Sequence, residues 1–300
     1  MRFQSLPRIL ATSGLAAIVA FNFALAQPAK DTKSAPAKDA KSSATKDSAQ
    51  KAPAKTEYQP TVGQEGKDVV WVPTPQALVE KMLDMARVTP NDYVVDLGSG
   101  DGRTVITAAK RGVKALGIEY NPDMVELAKK NAAKENAGEN ATFVRGDIFE
   151  SDFSKATVIT LFLLPGLNQR LRPIILDMKP GTRVVSNSFD MGDWSADETV
   201  QATGDCTSYC RAYFWMVPAK VGGKWQMGGG ELELEQKYQQ LSGTFKDNNV
   251  TIPVSGKMIG DMISFTAGRT LYNGKVANGA IEGTAKSPDN EAKWTATKAK

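Results

Sequence analysis

From Tyr58 onward the apolar positions follow two alternating periods. Leu78, Val79, Met82, Leu83 and Ala86 lie three and four apart, which predicts a helix over 76–86. Thr74 is placed to cap it, with Pro75 in its first turn. An apolar strand is predicted over 92–97, then a helix over 104–110 ended by Gly112, a strand over 113–119, a helix over 124–136 and a strand over 141–146. The run 156–164 is apolar throughout and bounded by Pro165, as for a strand buried on both faces. A helix over 168–178 contains Pro173 near its start or at a kink, and a strand over 182–189 follows the Lys179-Pro180-Gly181 turn. Strands and helices alternating this closely predict a doubly wound, Rossmann-like parallel sheet. Beyond Asp197 the pattern changes. An aromatic-rich strand is predicted over 209–217, and from Lys224 helical spacing disappears. Segments 231–246, 250–259, 261–267, 270–277, 279–286 and 292–298 are strand-like and punctuated by glycine, which predicts an antiparallel β meander over 224–300, a curved sheet or partial barrel.

Residues ahead of Tyr58 bury nothing of this kind. Arg2 and Arg8 precede an uncharged apolar stretch, and Ala24-Leu25-Ala26 stands before Gln27. That three-part layout predicts a secretory signal peptide over 1–26 and an exported, periplasmic chain. Left uncleaved, the segment would anchor the chain to a membrane; left unused, it would leave the chain cytoplasmic. Residues 27–57 are Lys, Ala, Pro and Ser with Asp, and read as a disordered linker. The folded part is therefore expected over 58–217 and 224–300.

Charge and composition narrow the chemistry. The N-terminal 56 residues carry +6 of a chain whose net charge is +4, so the remainder stands at −2 and holds no cationic excess suited to nucleic acid. With no histidine in the chain, His-based triads and most zinc sites are excluded, and no metal is expected. The two cysteines, Cys206 and Cys210, are too few for a zinc site. In an exported chain they could close one short disulfide, provided that a turn lies between them; two free thiols are the alternative.

Candidate chemistry centres on Asp96-Leu97-Gly98-Ser99-Gly100-Asp101-Gly102-Arg103. Glycines at a strand's carboxyl end let backbone approach a small charged ligand. Arg103 stands where a dinucleotide fingerprint has its third glycine, and Asp96 precedes the first. An anion there repels a pyrophosphate and suits an ammonium, which favours S-adenosylmethionine over NAD. Asp96 would hold the ammonium, and the N–H groups of 98–102 would receive the ligand carboxylate. Glu119, at the next strand end, could accept from both ribose hydroxyls. Asp147 could take the adenine amine, with the Ile148 amide facing a ring nitrogen. Leu163-Leu164-Pro165 would meet the methyl acceptor. No Asn/Asp-Pro-Pro-aromatic tetrad and no Pro-Cys stands there, which disfavours DNA amino-methylation and the covalent cysteine route. The catalytic residue is undetermined: Tyr120, Asn187, Ser188 and Asp190 are polar candidates near strand ends.

With these residues in place, 68–217 resembles the class I (seven-strand) S-adenosylmethionine-dependent methyltransferases. It is most similar to the small protein-lysine methyltransferases acting on the ATP synthase c-subunit and the adenine nucleotide translocase. The likeness rests on Val72-Pro73-Thr74-Pro75, DLGSGDGR at 96–103, GIEYNP at 117–122, FVRGD at 143–147, LFLLP at 161–165 and KPGTRVVSNSF at 179–189. It implies that Thr74 lies near the cofactor's methionine end beside Asp96 and Gly98. It also implies a sheet completed by an antiparallel hairpin over 198–217. The cofactor-binding set expected here further includes Ser99, Gly100, Asp101 and Tyr120. The expected activity is methyl transfer to a protein lysine. Two alternatives stay open: an exported, non-catalytic binding module on the same fold, and a small-molecule methyltransferase whose β tail covers the acceptor opening.

Overall fold

A computed structural model describes residues 58–299. The expected signal peptide 1–26 and linker 27–57 lie outside the described residues. The first half alternates as its periodicity predicts: α1 (Gln76–Met85), β1 (Tyr93–Leu97), α2 (Arg103–Lys110), β2 (Lys114–Glu119), α3 (Pro122–Lys134), β3 (Ala141–Arg145), β4 (Val158–Leu161), α4 (Pro165–Leu176) and β5 (Arg183–Asn187). An antiparallel hairpin follows, β6 (Glu198–Gln201) and β7 (Arg211–Met216). These seven strands form one sheet in the order β3-β2-β1-β4-β5-β7-β6. β1 to β5 run parallel, and β7 pairs antiparallel with both β5 and β6. Strand order reverses between β1 and β4, and a ligand crevice belongs outside the carboxyl ends at that point.

Both faces of the sheet are covered. Leu78, Val79, Leu83, Val105 and Val125 pack on one side. Leu171, Ile175, Trp194 and Trp215 pack on the other. β4 is wholly buried, as the unbroken apolar run requires. That run makes a strand only to Leu161, however; residues 162–164 turn over the crevice, and α4 starts at Pro165 rather than Asn168. A proline suits a first helical position, where its missing N–H would have no partner in any case. Thr74 does not cap α1. Pro75 holds the N-cap position, and the Thr74 hydroxyl oxygen accepts from Asn187 Nδ2 at 3.2 Å, tying the helix entry to β5.

The C-terminal meander closes completely. β8 (Gly223–Met227), β9 (Gly230–Lys237), β10 (Gln240–Asp247), β11 (Val250–Ile259), β12 (Met262–Ala267), β13 (Thr270–Ala277), β14 (Ala280–Lys286) and β15 (Glu291–Lys298) form an up-and-down barrel, in which β15 pairs with β8. The expected strand 231–246 is two strands joined at Tyr238-Gln239, and β8 supplies the edge that closure needs. Alternate side chains fill the interior, so the barrel is packed rather than hollow. Phe265 stacks on Tyr272 with centroids 4.8 Å apart, and Trp294 stands edge-on to both. Such a narrow barrel needs bare backbone opposite its rings: a Cβ on Gly256 would lie 2.5 Å from that of Phe265.

Barrel and sheet meet through the β9–β10 turn. Tyr238 stacks on Trp194, its hydroxyl donates to Asp193, and Gln239 Nε2 donates to the Ser195 carbonyl at 2.8 Å. Ala219 N–H donates to the Gly260 carbonyl at 2.8 Å. No described helix is long and apolar enough to cross a membrane.

Candidate active site

A cleft of about 190 Å³ opens at the carboxyl ends of β1, β2 and β4, and all ten sequence-predicted site residues line it. Asp96 sits deepest. It is 7% exposed, and its Oδ1 accepts from the Thr160 hydroxyl of the neighbouring strand at 2.5 Å. Burial pushes its carboxyl up to about 7; the charges of Glu119 and Asp101 add to the rise, and the Thr160 hydrogen bond opposes it. Among the described residues no cation pairs with it. A buried acid held this way favours an incoming cation.

The glycine loop turns under the cleft as the sequence predicts, but its amides serve the fold. The Gly98 and Ser99 N–H groups both donate to the Ile118 carbonyl, and Gly102 N–H donates to Ser99 O. Gly100 N–H donates to Glu119 Oε2 at 2.9 Å. These four amides therefore do not stand ready for a ligand carboxylate, which corrects the expectation that 98–102 would receive it. Hydrogen-bonding the loop to β2 fixes its shape, and that requirement takes the donors. Gly100 is at φ 52°, and a Cβ there would meet Trp71 Nε1 at 2.6 Å. Close approach of Trp71 is what this glycine permits.

Glu119 ends β2 with both oxygens engaged by backbone, Oε2 by Gly100 and Oε1 by Asn121 N–H at 2.9 Å. The carboxylate is thereby locked in orientation, with lone pairs remaining for a diol. Asp147, after β3, accepts from Phe149 N–H through Oδ1 and pairs with Lys67 through Oδ2. The Lys67 hydrogen bond holds the Asp147 carboxyl below its ordinary range. Ile148 lines the same end, and Tyr120 stands at the rim with Lys67 over its ring. Asp101 is bound by Arg103, whose Nη1 also donates to the Thr74 carbonyl at 2.9 Å.

Two parts of the site escaped the sequence reading. The first is an arm: residues 64–74 all line the cleft, where only Thr74 was expected. The arm folds back on itself through Trp71 N–H to Gln64 O and Gly63 N–H to Trp71 O, and the Lys67–Asp147 pair latches it across the opening. Lacking regular periodicity, it gave no pattern to read; Trp71 in the apolar run 69–73 and Lys67 just before that run were its only signal. The second part is aromatic. Phe162 after β4, Phe189 after β5 and Tyr209 before β7 come together, with Phe162 5.2 Å from Tyr209 and 6.1 Å from Phe189. Leu163, Leu164 and Leu167 complete this end.

Of the four polar candidates only Tyr120 lines the cleft. Asn187 is fully buried, donating to Thr74 and accepting from the Ser188 hydroxyl, while Asp190 accepts from Gly192 N–H. The acceptor end thus carries rings and aliphatic groups rather than a general base. Cys206 and Cys210 are disulfide-bonded around the turn that holds Tyr209. Among the described residues the barrel contributes no lining, so it does not cover the opening as the small-molecule alternative requires.

These residues fit S-adenosylmethionine on three counts. An uncompensated buried acid matches an ammonium. A locked carboxylate at the β2 end matches a ribose. The buried Ser99 hydroxyl, beside the bare Gly117 backbone, has no partner among the described residues and remains free to bond.

The chain is similar to known methyltransferases. The sequence model of the ANTKMT methyltransferase domain matches residues 96–198, and that of a DNA methylase matches 25–130. The chain is 44% identical over 136 residues to a protein-lysine N-methyltransferase of Saccharolobus islandicus (strain REY15A), covering 44% of this chain and 84% of that protein. It is 33% identical over 137 residues to the adenine nucleotide translocase lysine N-methyltransferase of Mus musculus, covering 45% of this chain but only 58% of that one. Among solved structures it is similar to an RNA methyltransferase of Salinibacter ruber in complex with S-adenosyl-L-homocysteine. The two share 47% identity over 50% of this chain and 96% of that chain, with a TM-score of 0.47.

Proposed function

This chain belongs to the class I S-adenosylmethionine-dependent methyltransferases, in the family of the protein-lysine N-methyltransferases, and from that premise we propose that it methylates a lysine Nζ of a protein substrate. One observation carries the choice of acceptor. The cleft is lined by six acids (Glu65, Asp68, Asp96, Asp101, Glu119 and Asp147) against two cations, Lys67 and Arg103, both already paired. Such a field draws in a lysine and repels a phosphate backbone.

When bound, S-adenosylmethionine supplies a sulfonium methyl that an amine lone pair can take. The protein's part is position and desolvation. Asp96 would hold the cofactor's ammonium and Glu119 its ribose hydroxyls, and the Thr160 hydroxyl orients Asp96. At the acceptor end, rings and leucines exclude bulk water; the lysine enters as an ammonium and releases its proton to solvent before its lone pair can take the methyl. The step needs a neutral, aligned amine.

The chain is also exported to an oxidising compartment. The three-part N-terminus and the Cys206–Cys210 disulfide support this reading. The N-terminal residue of the mature protein tests it: Gln27 is expected, and an intact Met1 on a cytoplasmic protein overturns it.

For the activity, the full chain is given methyl-labelled S-adenosylmethionine with poly-L-lysine or with total RNA. Label on poly-L-lysine and none on RNA is expected. Label on RNA alone overturns the lysine reading.

A further inference from the structure

Tyr209 occupies an unusual place. It is a non-glycine residue at φ 54°, in the left-handed region that a tyrosine seldom adopts, and it is 44% exposed. It stands at the end of the nine-residue connection from β6 to β7, between Ser208 and the bridged Cys210. The base of that connection is closed by Ala202 N–H donating to the Cys210 carbonyl at 2.7 Å, and Cys210 is buried against the sheet. Cys206, four residues earlier, is fastened to it. A bridge across so few residues removes less entropy from the unfolded chain than a long-range one. Its main effect is local: it narrows the conformations open to residues 206–210.

The ring carried by this turn reaches the ends of two other strands. It meets Phe162 edge-on at 5.2 Å and lies 6.4 Å from Phe189, and all three rings line the cleft beside Leu164 and Leu167. None of the three has a cation over its face among the described residues, although Tyr120, Phe149, Tyr238 and Trp225 do. Aromatic faces with no cation attract an alkylammonium group, and a lysine stem supplies the apolar length to fill the space between them.

We propose that the Cys206–Cys210 disulfide is a positioning element of the acceptor site: it holds Tyr209 against Phe162 and Phe189, so that three rings frame the slot for an alkylammonium side chain. The proposal deepens the lysine reading and rests on it for the natural occupant. Tyr209 touches the acceptor; the disulfide acts through Tyr209.

The test uses n-butyltrimethylammonium, which keeps the length of a lysine side chain and a fixed charge and cannot be methylated. Its binding to the full chain, loaded with S-adenosylhomocysteine, is measured by titration calorimetry. Tyr209→Ala and the pair Cys206→Ser/Cys210→Ser are each expected to weaken it at least about fivefold, the scale of one exposed cation–π contact. Tyr209→Phe should bind as the unaltered chain does, and Tyr209→Ala should add nothing on the Cys206→Ser/Cys210→Ser background. S-adenosylhomocysteine affinity should stay within about twofold throughout, a split that general loss of structure would not give. Unchanged probe binding in the cysteine pair overturns the proposal, as does failure of the unaltered chain to bind the probe. Probe binding with the expected pattern, alongside no label on poly-L-lysine, leaves the slot standing and refutes lysine as its occupant.

Discussion

At the scale of single residues, the site turns on an acid in the wrong place for a folded protein alone. Asp96 is buried without a cation, and that costs stability wherever it ionises. Its folded pKa of about 7 lies above the unfolded value, so the folded chain binds the extra proton between the two. This group's contribution to stability is therefore greatest at low pH and is lost as pH rises through about 7. A bound ammonium reverses the loss. The thermal shift on adding S-adenosylhomocysteine should accordingly be larger at about pH 8 than at about pH 5.5, and Asp96→Asn should abolish that difference. The same variant should weaken cofactor binding at least tenfold, the result of losing about 1.5–3 kcal/mol of charged hydrogen bonding. Equal shifts at both pH values in the unaltered chain would contradict this role for Asp96. Acids at strand ends were legible in sequence because periodicity locates the ends and the glycines mark the turn. Trp71, Phe162, Phe189 and Tyr209 were not, since each reaches the cleft from a loop whose course is set by tertiary packing.

Among the elements, α1, β1, β4 and β5 are tied at the end of the sheet opposite the cleft. Arg183 pairs with Asp92 and donates to the Ala86 and Arg87 carbonyls, while the Thr157 hydroxyl donates to Asp92. Burial raises the Asp92 carboxyl, but hydrogen bonds from Thr157, Thr89 and Arg183 outweigh it and hold the group below its ordinary range. Its stabilisation is present above the unfolded pKa and is lost as pH falls through the folded one. Asp92→Ala leaves Arg183 without its partner and should cost about 3–5 kcal/mol in urea unfolding. Cofactor affinity of the folded fraction should not change, because the pair lies away from the cleft. The barrel shows how far pattern reading extends. Alternation and glycine punctuation gave six strand-like segments, but closure depends on β8 and on the Tyr238-Gln239 hairpin. That turn holds a tyrosine at φ 54° where glycine or asparagine would have announced it. Gly256→Val should open the barrel and shift tryptophan emission to the red, since its side chain would collide with Phe265. Cofactor affinity should hold, as the barrel lines none of the cleft.

Across the whole molecule, a cofactor-binding sheet and a packed barrel share a surface built on Trp194, Tyr238 and Gln239, and each keeps its own core. The parallel part of the sheet was legible because strand and helix alternate as βαβ units; the antiparallel hairpin came only from the family resemblance, and the strand order was not read. A protein lysine as acceptor was expected from the family resemblance alone; individual residues did not give it, because the acid excess belongs to an assembled cleft and the rings come from three separate connections. Transfer of a methyl group to a lysine is what the cleft of the sheet is read to serve. The most direct measurement is peptide mass spectrometry of cell-envelope proteins incubated with the full chain and methyl-labelled S-adenosylmethionine. Labelled methyl on lysine Nζ, absent with Asp96→Asn, is the predicted result. A chain that binds the cofactor yet labels no lysine would contradict it.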